Sequence, residues 1–261
     1  MREARRLVPD AKSPRLRRAR VGDRSELYTE SVGEPPAVYG ERWVHFDGRA
    51  YRTFEPGRSK LSAALVHGWV GPLPLPGERW LYLGAASGTT ASHLADLVGP
   101  EGRVYAIERS PRTFVRLLAL AGRWPNLLPI LADAREPRTY SALVPPVHGL
   151  YADVAQPDQV GIVRANAELL LDASGAAVVL ALKTSSMGRH RTAAAHLADA
   201  EGELAQFVRR APTVRLDPFH KAHFLLGGRV RSDRAASGRA RVAATRPVSW
   251  SRAPRPGRRR R

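Results

Sequence analysis

Two rhythms of apolar residues divide this chain, and from about residue 80 onward they alternate. Trp80-Leu81-Tyr82-Leu83 is a continuous apolar run of strand length, the pattern of a strand buried on both faces. A turn bracketed by Gly84 and Gly88 follows, with no Cβ at either position to hold off another backbone or a ligand. Ala91, Leu94, Leu97 and Val98 then recur at helical spacing, with Thr89 and Thr90 in the first turn. Ser87 is the expected N-cap and Gly99 the expected stop. A second apolar run, Val104 to Ile107, ends in Glu108.

The alternation then repeats. The spacing predicts a helix over 110–121 with Pro111 at its first position, and a strand over 127–131 leading to Asp133 and Ala134. A brief helix over 137–143 and a strand over 149–152 ending at Asp153 come next. A helix after Pro157 precedes the very apolar strand 176–182, which has Lys183 at its end. An Ala-rich helix over 192–207 and strands over 208–216 and 223–226 complete the set. Upstream, residues 21–55 read as β structure: WVHF and RAYRTF alternate and are joined by Asp47-Gly48, a strong hairpin signal. A short helix beginning near Ser59 would carry Lys60 in its first turn.

Repeated strand–helix alternation means a mostly parallel sheet with helices on both faces, and such sheets bind ligands beyond the carboxyl ends of their strands. Five successive strand ends here carry Gly84, Glu108, Asp133, Asp153 and Lys183. The unit from Trp80 to Glu108 has the order of a nucleotide-binding βαβ, yet its turn lacks the third glycine of the dinucleotide fingerprint, and no phosphate-binding loop with Gly-Lys-Ser/Thr is present. Glu108 is placed to accept from two ribose hydroxyls and Asp133 from an adenine amine. An adenosyl ligand without pyrophosphate fits, and S-adenosylmethionine is the common one.

Charge divides the chain differently. Of the net +18, residues 1–20 contribute +6 and residues 229–261 contribute +11, leaving the stretch between nearly neutral. Both ends are rich in Arg, Ala, Pro and Ser, so residues 1–20 read as a basic disordered arm and 229–261 as an Arg-rich disordered tail, suited to contact with phosphates. Between them lie a small β domain over 21–55 and the main domain over 56–228. There is no cysteine, which excludes disulfides and thiolate chemistry. No apolar run approaches the roughly 20 residues needed to span a bilayer, and the first twenty residues have no apolar core, so a cytoplasmic protein with no membrane partner is expected. Only four lysines, Lys12, Lys60, Lys183 and Lys221, stand against 38 arginines. A lysine kept against that bias points to a need for a compact ammonium.

Arg58-Ser59-Lys60-Leu61, LYLGAASGTTASH, PILADA, ADVAQP and LALKT together closely resemble the archaeal fibrillarin-like rRNA/tRNA 2′-O-methyltransferases, in order from about residue 37 to 227. The resemblance implies an α/β, class I (Rossmann-like) methyltransferase with a mostly parallel seven-stranded sheet behind a small β domain. It implies S-adenosyl-L-methionine as donor, bound by Gly84, Gly88, Thr89, Thr90, Glu108, Asp133, Ala134, Asp153 and Gln156. The family's Lys-Asp-Lys-His catalytic set falls on Lys60, Asp153, Lys183 and His223. The implied setting is a box C/D particle with guide RNA, a target in rRNA or tRNA, a Nop-domain scaffold protein and a kink-turn-binding protein. The chain departs from the family in carrying Ala222 where an aspartate precedes the histidine, and Gly188 near a second usual aspartate. His220 lies nearby, and spacing to the last strand favours His223.

In such a set the two lysines would stabilise alkoxide charge on a ribose 2′-oxygen, Asp153 would take or relay its proton, and His223 would orient the partners. An inactive scaffold subunit of an RNA particle is the alternative, and the presence of all four side chains argues against it. A nicotinamide oxidoreductase lacks its glycine here, and stand-alone RNA ribose methyltransferases end the set with Glu rather than His.

Overall fold

The computed structural model describes residues 7–22, 24–172, 174–188 and 191–232. The expected tail after residue 228 lies mostly outside them. The chain builds two sheets. The first contains β1 (Val8–Asp10), β2 (Ser13–Val21), β3 (Arg24–Glu30), β4 (Trp43–Phe46) and β5 (Arg49–Thr53), in the order β1-β2-β3-β5-β4 with every pair antiparallel. Asp47 and Gly48 both take positive φ, 49° and 68°, as the tight β4–β5 hairpin requires.

This sheet corrects the expectation of a disordered arm over residues 1–20, because β1 and most of β2 lie within that stretch. The buried positions of β2 are Ser13, Leu16 and Ala19. Their spacing of three alternates between the two faces, Leu16 packing into the main core and Ala19 with Tyr28 and Tyr51, so period-two alternation does not show. Two of the three arginines between them are neutralised at a distance, Arg18 by Asp10 and Arg15 by Glu30 at 3.0 Å, while Arg17 lies over the Tyr51 ring. Composition suggests disorder only while those partners are unseen.

The second sheet comprises β6 (Arg79–Leu83), β7 (Arg103–Glu108), β8 (Leu127–Leu131), β9 (Gly149–Ala152), β10 (Ala177–Lys183), β11 (Val208–Arg210), β12 (Val214–Arg215) and β13 (His223–Val230). Seven strands run β11-β13-β10-β9-β6-β7-β8, and β12 also pairs with β13. The five from β10 to β8 are parallel, while β13 is antiparallel to its neighbours. Pro212, which has no N–H to give a ladder, separates β11 from β12 where one strand was expected. The five α-helices are α1 (Lys60–Val66), α2 (Thr89–Val98), α3 (Pro111–Ala121), α4 (Gln159–Leu170) and α5 (Ala193–Ala205). Two single 3-10 turns, Pro137–Thr139 and Ser141–Leu143, replace the brief helix expected there.

Alternate residues of the parallel strands feed two cores. Trp80, Tyr82, Val104 and Ala106 pack with α1, α2 and α3, whereas Leu81, Leu83, Tyr105 and Ile107 pack with α4 and α5. The small sheet docks on α2 through a fully buried ion pair. Arg52 Nε donates to Asp96 at 2.7 Å, its Nη1 lies 3.1 Å from Glu41, and its guanidinium lies over the Trp124 ring. Asp96 also accepts from Thr29, the Val32 N–H and the Trp124 indole, so both of its oxygens are fully used. The sheet order reverses between β6 and β9, the switch point beyond whose carboxyl ends sheets of this kind form their ligand crevice.

Candidate active site

Gly84 and Asp153 directly follow β6 and β9 and so lie side by side at the floor of that crevice. Asp153 N donates to the Leu83 carbonyl at 2.9 Å, and a Cβ on Gly84 would lie 2.5 Å from the Asp153 carbonyl oxygen. With φ at 77° as well, the position requires glycine. The far end of the turn differs from expectation: the N-cap of α2 is Gly88 at φ 93°, not Ser87, and no side chain caps the helix among the described residues. The φ of Gly88 favours glycine, and a Cβ there would also meet the methyl groups of Leu120 and Leu117. The first N–H groups of α2, in Thr89 and Thr90, are therefore left to whatever occupies the crevice. Buried Thr90 also donates to Ser59 Oγ at 3.0 Å, and Ser59 caps α1 by accepting from Ser62 N.

Glu108 is almost fully buried, and each carboxylate oxygen accepts one backbone N–H, from Ala86 at 2.8 Å and from Ser110 at 2.7 Å. A carboxylate has about four acceptor sites, so two N–H donors fix its orientation and leave capacity for a diol. Asp133 is clamped by Arg135, whose Nη2 lies 2.6 Å away; this pairing, reinforced by the Arg135 N–H and by Arg109, holds its carboxyl at about 2. Ala134 is buried and its carbonyl accepts from Asn166. Gln156 is half-buried in the loop after β9.

Lys60, in the first turn of α1, places Nζ 2.7 Å from Asp153 Oδ2. Lys183 and His223 are direct partners in the β10–β13 ladder, so the second lysine and the histidine stand side by side at the same sheet edge. Lys183 makes no ion pair among the described residues. Its backbone is held by Gln159, which accepts from Lys183 N at 2.9 Å and donates to its carbonyl at 3.0 Å.

A family model described as Fibrillarin matches residues 12–232. The chain belongs to the fibrillarin family. It is 40% identical over 199 residues to the fibrillarin-like rRNA/tRNA 2′-O-methyltransferase of Pyrococcus horikoshii, covering 76% of this chain and 87% of that protein. Aeropyrum pernix fibrillarin, solved with natively bound S-adenosyl-L-methionine, superposes with a TM-score of 0.77 at 36% identity, over 86% of this chain and 98% of that one. Fibrillarin in a crystal structure of a fibrillarin/Nop5p complex superposes at 0.71 and 39% identity, over 79% and 94%. The Rossmann-like methyltransferase fold with its antiparallel N-terminal sheet is thus the fibrillarin fold.

Within that fold the departures from the family pattern stand at two places, Ala222 in the loop before β13 and Gly188 in the segment after β10. Ala222 takes φ 57°, a left-handed conformation that costs an alanine energy, and its carbonyl accepts from Thr184 N and Oγ1. Gly188 also has positive φ, and its carbonyl meets His196 Nε2. Burial pushes the His223 imidazole below its ordinary value, helped by the Lys60 ammonium and opposed by the Lys221 carbonyl and Asp153. His223 Nδ1 lies 2.8 Å from the Lys221 carbonyl, which can only accept, so in the neutral ring Nδ1 carries the proton and Nε2 keeps its lone pair. His220, noted in the sequence only as a rival to His223, reaches the Pro56 carbonyl with Nε2 at 2.8 Å and so ties this loop to the start of the Lys60 segment. Two further supports, Arg135 and Gln159, left no signal in the sequence; Gln159 reads there as an ordinary first-turn polar residue.

Proposed function

We propose that this chain transfers the methyl group of S-adenosyl-L-methionine to the 2′-oxygen of a ribose in rRNA or tRNA, within a box C/D particle where guide RNA selects the target. The observation that carries this reading is the 2.7 Å Lys60–Asp153 pair at the crevice, with Lys183 and His223 adjacent in register. Fibrillarin-family membership, the printed activity of the Pyrococcus relative and the cofactor of the Aeropyrum structure support it. The fibrillarin/Nop5p complex supports a Nop-domain scaffold as partner. A kink-turn-binding protein belongs to the same proposed assembly. Among the described residues no helix is long and apolar enough to cross a membrane.

The residues fit the cofactor. Glu108 presents oriented acceptor capacity for a ribose diol, Gly84 and Gly88 supply the positive φ that the tight turn uses, and Thr89 and Thr90 offer helix N–H groups to a carboxylate. Asp133, Ala134 and Gln156 would complete the cradle around the base and the amino-acid end. Bound there, the sulfonium supplies an electrophilic methyl carbon. The chain's own task is to make a poor nucleophile reactive. Lys60 and Lys183 would stabilise negative charge on the 2′-oxygen, Asp153 would accept its proton, and neutral His223 would offer Nε2 to the Lys183 ammonium or the hydroxyl.

The test is methylation in a reconstituted guide particle, with the target ribose either intact or 2′-deoxy. Label should enter the intact target alone, and Lys183→Ala should abolish transfer while cofactor affinity stays near wild type. Equal labelling of the deoxy target would sink the 2′-O assignment.

A further inference from the structure

The residue just before His223 holds an unfavourable conformation. Ala222 takes φ 57°, and it lacks the short polar side chain with which an asparagine or aspartate holds such a left-handed turn for itself. The turn is held from outside instead. Its carbonyl accepts from Thr184 N at 3.2 Å and from Thr184 Oγ1 at 3.1 Å, so one residue uses both of its lone pairs. Thr184 is almost fully buried, which leaves its hydroxyl little access to water as an alternative partner. It directly follows Lys183, the ladder partner of His223.

Three successive carbonyls show what the turn does. That of His220 accepts from His223 N at 3.3 Å, that of Lys221 from His223 Nδ1 at 2.8 Å, and that of Ala222 from Thr184. The φ and ψ of Ala222 alone set the angle between the last two of these rigid peptide planes. A relaxation of Ala222 to negative φ would therefore turn one carbonyl away from the histidine ring or the other away from Thr184. The rest of the loop is anchored separately. Leu216 N donates to the His223 carbonyl at 3.0 Å, and His220 Nε2 lies 2.8 Å from the Pro56 carbonyl. A change at Thr184 would be felt at Ala222 and the ring rather than spread along the loop.

We propose that Thr184 is a positioning residue for His223. Its hydroxyl locks the left-handed turn at Ala222, and the turn aims the Lys221 carbonyl that keeps the proton on Nδ1 and the Nε2 lone pair free. That a free Nε2 matters rests on the methyl-transfer reading; the lock itself does not.

The ring reports the lock directly. Long-range proton–nitrogen correlation spectra of the full chain, taken well above the ordinary histidine value of about 6.5 and assigned with His223→Gln, should show the Nδ1–H tautomer. An Nε2–H ring in the wild type would overturn the proposal. Thr184→Val removes the hydroxyl but keeps the size and the backbone N–H, and it should shift the ring towards Nε2–H. Its transfer rate at saturating RNA should fall about tenfold, part of the roughly 10²-fold or more that a proton-handling group supplies. Cofactor affinity and KM for RNA should change little. Thr184→Ser should behave as the wild type. Glycine bears positive φ without penalty, so Ala222→Gly added to Thr184→Val should recover most of the lost rate. A wild-type rate in Thr184→Val would refute the role. So would a loss that Ser fails to prevent and Ala222→Gly fails to suppress, since Thr184 would then be a packing residue only. Should Thr184→Val fail to fold, Thr184→Ala with and without Ala222→Gly takes its place. Absence of methyl transfer by the wild-type particle would strike the enzymatic reading, while the tautomer shift would still report the lock.

Discussion

The hydroxyl of Thr90 donates to the hydroxyl of Ser59 across 3.0 Å, and this one contact joins the start of α2 to the cap of α1. The first helix borders the proposed donor pocket and the second carries Lys60. Ser59→Ala should therefore cost about 1 kcal/mol as a lost cap and slow transfer more than it weakens cofactor binding. Thr90→Val should disturb both. A double-mutant cycle on the transfer rate should give a coupling of about 0.5 kcal/mol or more. Strict additivity would show that the two helices are positioned independently.

Lys60 meets Asp153 through a single ammonium donor at 2.7 Å, and a planar guanidinium does not reproduce that compact charge. Lys60→Arg should lower the transfer rate by about 10²-fold or more, with cofactor affinity measured by calorimetry changed little. Near wild-type transfer would remove Lys60 from the catalytic set.

The ion pair under the small sheet is a stability element. Arg52→Met leaves Asp96 and Glu41 without their buried cation, a change that costs about 3–5 kcal/mol. Thermal unfolding should shift down on the order of 10 °C. A shift of only a degree or two would mean that water reaches those carboxylates.

His93 gives the protein a pH dependence. Its ring is fully buried between Thr29 and Tyr39, and burial first, then Arg52, holds its pKa well below 6.5. In the unfolded chain it titrates near its ordinary value of about 6.5. Below that pH the unfolded state binds a proton that the folded state refuses, so stability falls as pH drops, by on the order of 2 kcal/mol at pH 5. His220 and His223, also depressed by burial, add to the same slope. Denaturant melts between pH 7 and 5 should show the decline, and His93→Gln should remove about one proton from it.

What could be read in the sequence was what rests on local order. The run from Trp80 to Glu108 announced strand, turn, helix and strand because each piece is signalled by its own residues, and the strand-end acids followed from it. The β2 strand was not legible, since its arginines look solvent-bound until Asp10 and Glu30 are in place. The cap of α2 was misread because Gly88 takes a left-handed φ of 93° there, a backbone turn that favours glycine and that no capping side chain announces. Lys60 and Asp153, ninety-three residues apart, could be named together only through family resemblance. Spacing alone does not bring them into contact. The Asp133–Arg135 clamp was a two-residue neighbour pair whose geometry no pattern specifies.

The place of β13 in the sheet has a consequence in time. It is the last strand in chain order among the described residues, yet it lies between β10 and β11 and brings His223 beside Lys183. On a ribosome, where N-terminal segments emerge first, the elements from Gly84 to Ala134 exist well before that strand does. Until it inserts, β11 has no neighbour and Lys183 has no histidine beside it. The same eight residues thus join β11 to the rest of the sheet and set His223 beside Lys183, so both features form together and late.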